Sequence, residues 1–189
     1  MASHKTHPHI ISSADAALVV VDMQDRLINA MWEPDRLRRN TRILVQGAIE
    51  MRVPIVATTQ NAVKLGETSS ELQDLLSPLD LPYDKMTFSC WPNPGFASAL
   101  QRSGRKQVIL CGAEAHVCVS QTAHDLILHG YQVHIAADAV SSRTELNWRL
   151  GLDKMRQAGA LTASTELALF EMLCDADNPE FRTVHKLLK

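Results

Sequence analysis

Residues 16–27 read AALVVVDMQDRL. Ala16 to Val21 are apolar without a break and end in three valines, so the run has no polar face to turn toward water. A strand covered on both sides belongs inside a parallel sheet, where helices pack on each face. The run stops at Asp22. In open α/β sheets ligands bind beyond the carboxyl ends of the strands, so a carboxylate at this point is either a site residue or the cap of the next turn.

Working outward, further short β-branched runs lie at Ile55–Thr59 (IVATT), Val108–Leu110 (VIL) and Val133–Ala136 (VHIA). Between the first two, Leu37, Leu44, Ala48 and Met51 recur at helical spacing until Arg52, Val53 and Pro54. This is a βαβ unit, and its alternation predicts an α/β fold with a parallel sheet. A second helix is expected from Cys118 to His129 with Gly130 as its C-terminal cap, a third over Glu145–Ala158, and a last one after Pro179. Two irregular stretches, 60–70 and 85–95, are long enough to be functional loops.

The chain has 189 residues, 46% hydrophobic and 21% charged, which suits one folded domain without metals or disulfides to support it. Residues 1–13 read as a flexible N-terminal tail and 14–189 as a single domain. The net charge of -2 provides no footprint for nucleic acid. The opening MASHKTHPHIISS has neither a signal-peptide core nor a membrane-spanning run, so a cytoplasmic protein without membrane contact is expected. No GxGxxG follows the first strand, which argues against a dinucleotide site.

Four cysteines, Cys90, Cys111, Cys118 and Cys174, show no CxxC and suggest no disulfide framework. Cys111 and Cys174 read as small buried packing residues. Cys118 follows the small-residue turn GAEAHV at the expected start of a helix, where free N–H groups would lower a thiol pKa and could hold an oxyanion. Lys85 opens KMTFSCW and could be drawn beside a carboxylate, although most lysines are solvated.

Together, ALVVVDMQDRL, KMTFSCW and VILCGAEAHVCVSQTAHDLILHGYQVHIAADAVSSR resemble the isochorismatase-like hydrolases over almost the whole chain. A strand ending in Asp with Gln two residues on, an intervening Lys and a later GxExxxC form a specific combination. The resemblance is nearest to the isochorismatase-domain proteins of unknown substrate. It implies a three-layer α/β/α fold of Rossmann-like topology and a catalytic triad of Asp22, Lys85 and Cys118. It further implies a cis peptide at Ala113–Glu114, an oxyanion hole from the amides of Glu114 and Cys118, and a homo-oligomer. Trp32 and Trp91, read as exposed loop residues, fit such an assembly. Gln60, Phe88, Trp91 and His116 are expected to line the substrate pocket.

Metal-dependent nicotinamidases carry an Asp and His ligands after the second strand, where this chain has TTQNAVKLGE. None of the eight histidines forms an HxH or HxxxH pair within one helix, and no metal or other cofactor is expected. A nucleophilic cysteine favours attack on an amide or related C–N carbonyl of a small molecule. Enol-ether hydrolysis of the isochorismatase type and a non-catalytic oligomeric binding protein with a retained triad are the alternatives. Treatment with EDTA should leave hydrolase activity intact; activity lost to the chelator and restored by zinc or iron would contradict the metal-free reading.

Overall fold

The computed structural model describes residues 7–79 and 82–189. Six strands form the sheet: β1 (Ala16–Val21), β2 (Ile55–Gln60), β3 (Tyr83–Lys85), β4 (Gln107–Ala113), β5 (Gln132–Ser141) and β6 (Leu161–Ala163). Their spatial order is β3-β2-β1-β4-β5-β6 and every neighbouring pair runs parallel. The order therefore turns back between β1 and β4, which opens a crevice at their carboxyl ends. Both strands expected beside it were legible in the sequence. The short edge strands β3 and β6 were not.

The helices are α1 (Asp25–Ile28), α2 (Pro34–Glu50), α3 (Ala62–Leu65), α4 (Ser70–Leu76), α5 (Pro94–Arg102), α6 (Ser120–Leu128), α7 (Glu145–Gln157), α8 (Thr165–Leu173) and α9 (Phe181–Leu187). A π-helical turn, Ala115–Val119, leads into α6. The helix expected to start at Cys118 is thus already under way at Ala115, and Cys118 lies inside it.

All six residues of β1 are buried, and their alternation assigns them to two cores. Ala16, Leu18 and Val20 meet Leu37, Leu44 and Ala48 of α2 and Leu169 of α8. Ala17, Val19 and Val21 meet Phe96 of α5, Leu126 of α6 and Met155 of α7. A strand with two apolar faces needs two helical layers, and it receives them. Among the described residues no helix is long and apolar enough to cross a membrane.

Three side chains sit elsewhere than the sequence suggested. Trp32 is half-buried, its ring 5.0 Å from Trp148 and 5.2 Å from the Arg36 guanidinium. Trp91 is also half-buried and stacks on His129 at 4.1 Å. Cys174 is exposed just beyond α8 with φ 68 and ψ -46, in a γ-turn closed by the Asp175 N–H donating to the Leu173 carbonyl at 2.8 Å. Within the expected tail, Ile11 is fully buried and donates its N–H to Glu171 Oε2 at 2.9 Å; residues 1–6 lie outside the described residues.

Two glycines fix where the turn after β4 can lie. Gly112 has φ 112, and a Cβ there would fall 2.0 Å from the carbonyl oxygen of Val21. Gly151 lets α7 press on the π turn, since a Cβ there would lie 2.8 Å from the Ala115 carbonyl. Gly112→Ala should therefore cost of order 3 kcal/mol or more in urea unfolding. Gly130→Ala, at φ 81 with nothing within 4 Å, should cost about 1–2 kcal/mol. Equal losses would show that close strand approach is not the constraint.

Candidate active site

Asp22 leaves the sheet by a left-handed turn, φ 52, while its N–H still donates to the Thr58 carbonyl at 3.1 Å. The backbone departs, yet the side chain stays inside: Asp22 is 0% exposed. Its two carboxylate oxygens have separate partners. The Thr58 hydroxyl donates to Oδ1 at 2.7 Å, and Lys85 Nζ donates to Oδ2 at 2.7 Å.

Lys85 is the last residue of β3, and β2 lies between it and β1. Its ammonium reaches Asp22 across the end of β2, where Gln60 Oε1 accepts a second hydrogen bond at 2.7 Å. The following loop folds back so that the carbonyls of Thr87 and Phe88 lie 3.2 and 3.0 Å from Nζ. Burial by itself would lower the Lys85 pKa, but the charges of Asp22, Cys90 and Cys118 and the hydrogen bond to Asp22 outweigh it and raise the value. The ammonium stays charged at every physiological pH.

Cys118 comes from the far side of the crevice, on the π turn after β4. Its Sγ lies 3.8 Å from Gln60 Oε1 and the residue is 6% exposed. Burial pushes its thiol up to about 12, the charge of Asp22 adds to the rise, and Lys85 offsets part of it. This reverses the effect expected of a helix N-terminus. Cys118 sits within the turn rather than before it, and a neighbouring carboxylate opposes a second negative charge. At neutral pH Cys118 rests as a thiol, with an acceptor for its proton alongside.

Cys90 is a second thiol in this centre that the sequence did not single out. It is 0% exposed, and its sulfur lies 3.5 Å from the Thr58 hydroxyl. Burial and the Asp22 charge push it up to about 11, against Lys85 and the hydrogen bonds of Thr122 and Thr58. Its backbone N–H is bound by Thr122 Oγ1 at 3.0 Å, and Ser89 Oγ donates to Asp125 at 2.6 Å, so the loop after Lys85 is anchored on α6.

Around this centre the expected residues divide. Gln60 touches both Lys85 and Cys118. The Ala113–Glu114 peptide is cis, and the Glu114 carboxylate accepts from the backbone N–H and Nε of Arg143 at 3.3 and 3.0 Å. His116 Nδ1 pairs with Ser142 Oγ at 2.9 Å. Phe88 is 53% exposed, whereas Trp91 spends its ring on His129 at the other end of α6. Thr58 and Gln24 were missed as site residues. Only Gln24 left a trace in the sequence, as the Gln of DMQ. A groove of about 680 Å³ between α2, α8 and the C-terminus includes none of these residues.

Residues 16–166 match the family model described as isochorismatase domain. Secreted isochorismatase effector Isc1 of Phytophthora sojae (strain P6497) is 40% identical, with 92% of this chain and 84% of that protein aligned. Isochorismatase domain-containing protein 2 of Danio rerio is 34% identical over 94% of this chain and 89% of its own. Among solved structures, MAR1 ribonuclease from Caenorhabditis elegans superposes with TM-score 0.86 at 32% identity, covering 94% and 91% of the two chains. The YcaC gene product of Escherichia coli, described as an octameric hydrolase of unknown specificity, gives 0.85 at 27% identity, covering 96% and 97%.

The four thiols provide internal controls for the protonation state. With limited iodoacetamide and peptide mass spectrometry, exposed Cys174 should label first, Cys118 next and buried Cys111 last. Cys118 labelling should climb about tenfold per pH unit from about pH 7 to about pH 9, because only the thiolate reacts and its pKa lies above that window. A plateau already reached at neutral pH would mean a preformed thiolate and would refute the assignment.

Proposed function

Because this chain belongs to the isochorismatase family of hydrolases, we propose that Asp22, Lys85 and Cys118 are its catalytic triad and that it cleaves an amide or related C–N bond of a small molecule. The observation that carries this reading is one buried carboxylate, hydrogen-bonded to an ammonium group, whose charge also raises the Cys118 thiol at the crevice where the strand order turns back. A thiol with a pKa near 12 is a poor nucleophile alone, so the arrangement demands a base, and Asp22 is beside it.

The steps then follow from proton positions. Asp22 accepts the Cys118 proton as sulfur attacks the carbonyl carbon, and the carbonyl electrons move to oxygen. The amides of Glu114 and Cys118 are assigned to that oxyanion. Collapse breaks the C–N bond while Asp22 returns the proton to the leaving nitrogen, which leaves a thioester on Cys118. Water attacks the thioester, its proton passing to Asp22 and then to the departing sulfur. Lys85 balances the charge of the carboxylate and offsets the developing thiolate.

A small substrate is favoured over a polyanion, since Cys118 is 6% exposed and the net charge is -2. That argues against carrying over the ribonuclease name of the C. elegans relative. Phe88 and His116 are proposed to line the pocket. A homo-oligomer is proposed in keeping with the octameric description of the E. coli protein. A cytoplasmic location is proposed from the sequence, although the P. sojae relative is described as secreted.

The name of that relative supports the enol-ether alternative, and one experiment separates the two. Primary amides, carbamoyl compounds and enol ethers are screened for product release, and each positive reaction is quenched in acid for intact-mass measurement. An amide substrate should leave an acyl adduct on Cys118, with Cys118→Ala inactive and Asp22→Asn slowed by about 10² to 10⁴. Enol-ether cleavage that persists in Cys118→Ala would overturn the thioester mechanism.

A further inference from the structure

The side chain of Gln24 is entirely consumed, and two of its three hydrogen bonds go to the backbone of a single residue. Its Oε1 accepts the Gln60 N–H at 2.8 Å, and its Nε2 donates to the Gln60 carbonyl at 3.1 Å and to the Gly66 carbonyl at 2.6 Å. Gln24 itself is 0% exposed. The reason lies in the backbone of β1, whose pairing with β2 ends at Val21 opposite Thr58 before the chain turns away at Asp22. Gln60 lies two residues further along β2, beyond the reach of that ladder. A side-chain amide offers the same donor and acceptor as a peptide group, and Gln24 supplies the missing strand partner.

Gln60 is held equally firmly from its other side. It pairs with Lys85 in the β2–β3 register, and its Nε2 donates to the Met86 carbonyl at 3.0 Å. That contact decides which end of the amide points inward. Oε1 faces Lys85 Nζ at 2.7 Å and Cys118 Sγ at 3.8 Å, whereas a reversed amide would set N–H groups against an ammonium. The ammonium is thus held by one carboxylate and three neutral carbonyls, of which only that of Gln60 also faces the thiol.

Resting on the triad reading above, we propose that Gln60 is a positioning residue whose neutral carbonyl aligns Lys85 with Cys118, and that Gln24 acts through it as a clamp fixing its orientation. Neutrality is the point of the residue type. A glutamate would accept the same hydrogen bond from Lys85 but place a second negative charge against the sulfur.

The test is the rate of Cys118 labelling by iodoacetamide at constant pH, in full-length protein checked for folding by thermal melting. Gln60→Glu should slow labelling by about tenfold or more, because an added like charge moves a thiol pKa by roughly one unit or more. Gln60→Met removes the carbonyl that aligns Lys85 with the sulfur and should slow labelling by about threefold, less than Gln60→Glu, because the stabilising ammonium is released without a like charge being added. Adding Gln24→Met to Gln60→Glu should restore at least about threefold of the lost rate, since a freed carboxylate need not stay against the sulfur. Gln24→Met should have little effect once Gln60 is methionine.

Labelling of Gln60→Glu within about twofold of the parent would overturn the role of Gln60, being far short of a like-charge effect. A Gln24→Met effect of equal size in every background would reduce Gln24 to a structural residue. If Cys118 in the parent labels no faster than Cys111, the triad reading itself falls, an outcome distinct from failure of the clamp alone. Should Gln24→Met fail to fold, the contrast between Gln60→Glu and Gln60→Met still decides the role of Gln60.

Discussion

A carboxylate and an ammonium group, both removed from water, meet at 2.7 Å with side-chain exposures of 0% and 1%. Burying two charges costs several kcal/mol per ion unless their remaining hydrogen-bonding positions are filled. Much of the local structure serves that requirement. The positive-φ turn at Asp22 aims the carboxylate inward, Thr58 satisfies its second oxygen, and the loop after Lys85 doubles back to present two carbonyls. Gln60 supplies the fourth acceptor, and Gln24 keeps Gln60 in place. Three N–H groups face four acceptors, so the ammonium is fully engaged within the protein.

That engagement separates the roles of the two charged residues. Lys85 holds and balances charge, while in the proposed mechanism Asp22 exchanges a proton with Cys118. The thiol is the member left out of balance, raised by burial and by the charge of the Asp22 carboxylate. On the proposed mechanism the nucleophile is made on demand and is not stored as thiolate. Such an arrangement suits a cysteine this little exposed, because a resting thiolate would need solvation that the crevice does not offer.

The sequence disclosed the fold through β1 alone to a large extent. An uninterrupted apolar strand ending in Asp22 demanded a parallel sheet with two helical layers, and the other long strands followed by pattern. The three-residue strands β3 and β6 were invisible, because at that length no periodicity exists and their pairing comes from the sheet edge. Asp22 was legible as a candidate by its position at a strand end, Cys118 by its place after a small-residue turn at an expected helix start, and Lys85 chiefly by resemblance. Thr58 was not legible: a threonine in a β-branched run reads as a strand former, and only the β1–β2 register brings it to the carboxylate. The thiol pKa was misjudged for a related reason. The local signal, a helix start, was visible, whereas the opposing charge of Asp22 arrives from a distant strand.

The claim that the buried ion pair organises this site is tested most directly by a double-mutant cycle on folding stability with Asp22→Asn, Lys85→Met and the two combined. Each single change leaves a buried partner unpaired and should cost about 3–5 kcal/mol, while the double variant should lose far less than their sum. Single losses that simply add in the double variant would contradict the account.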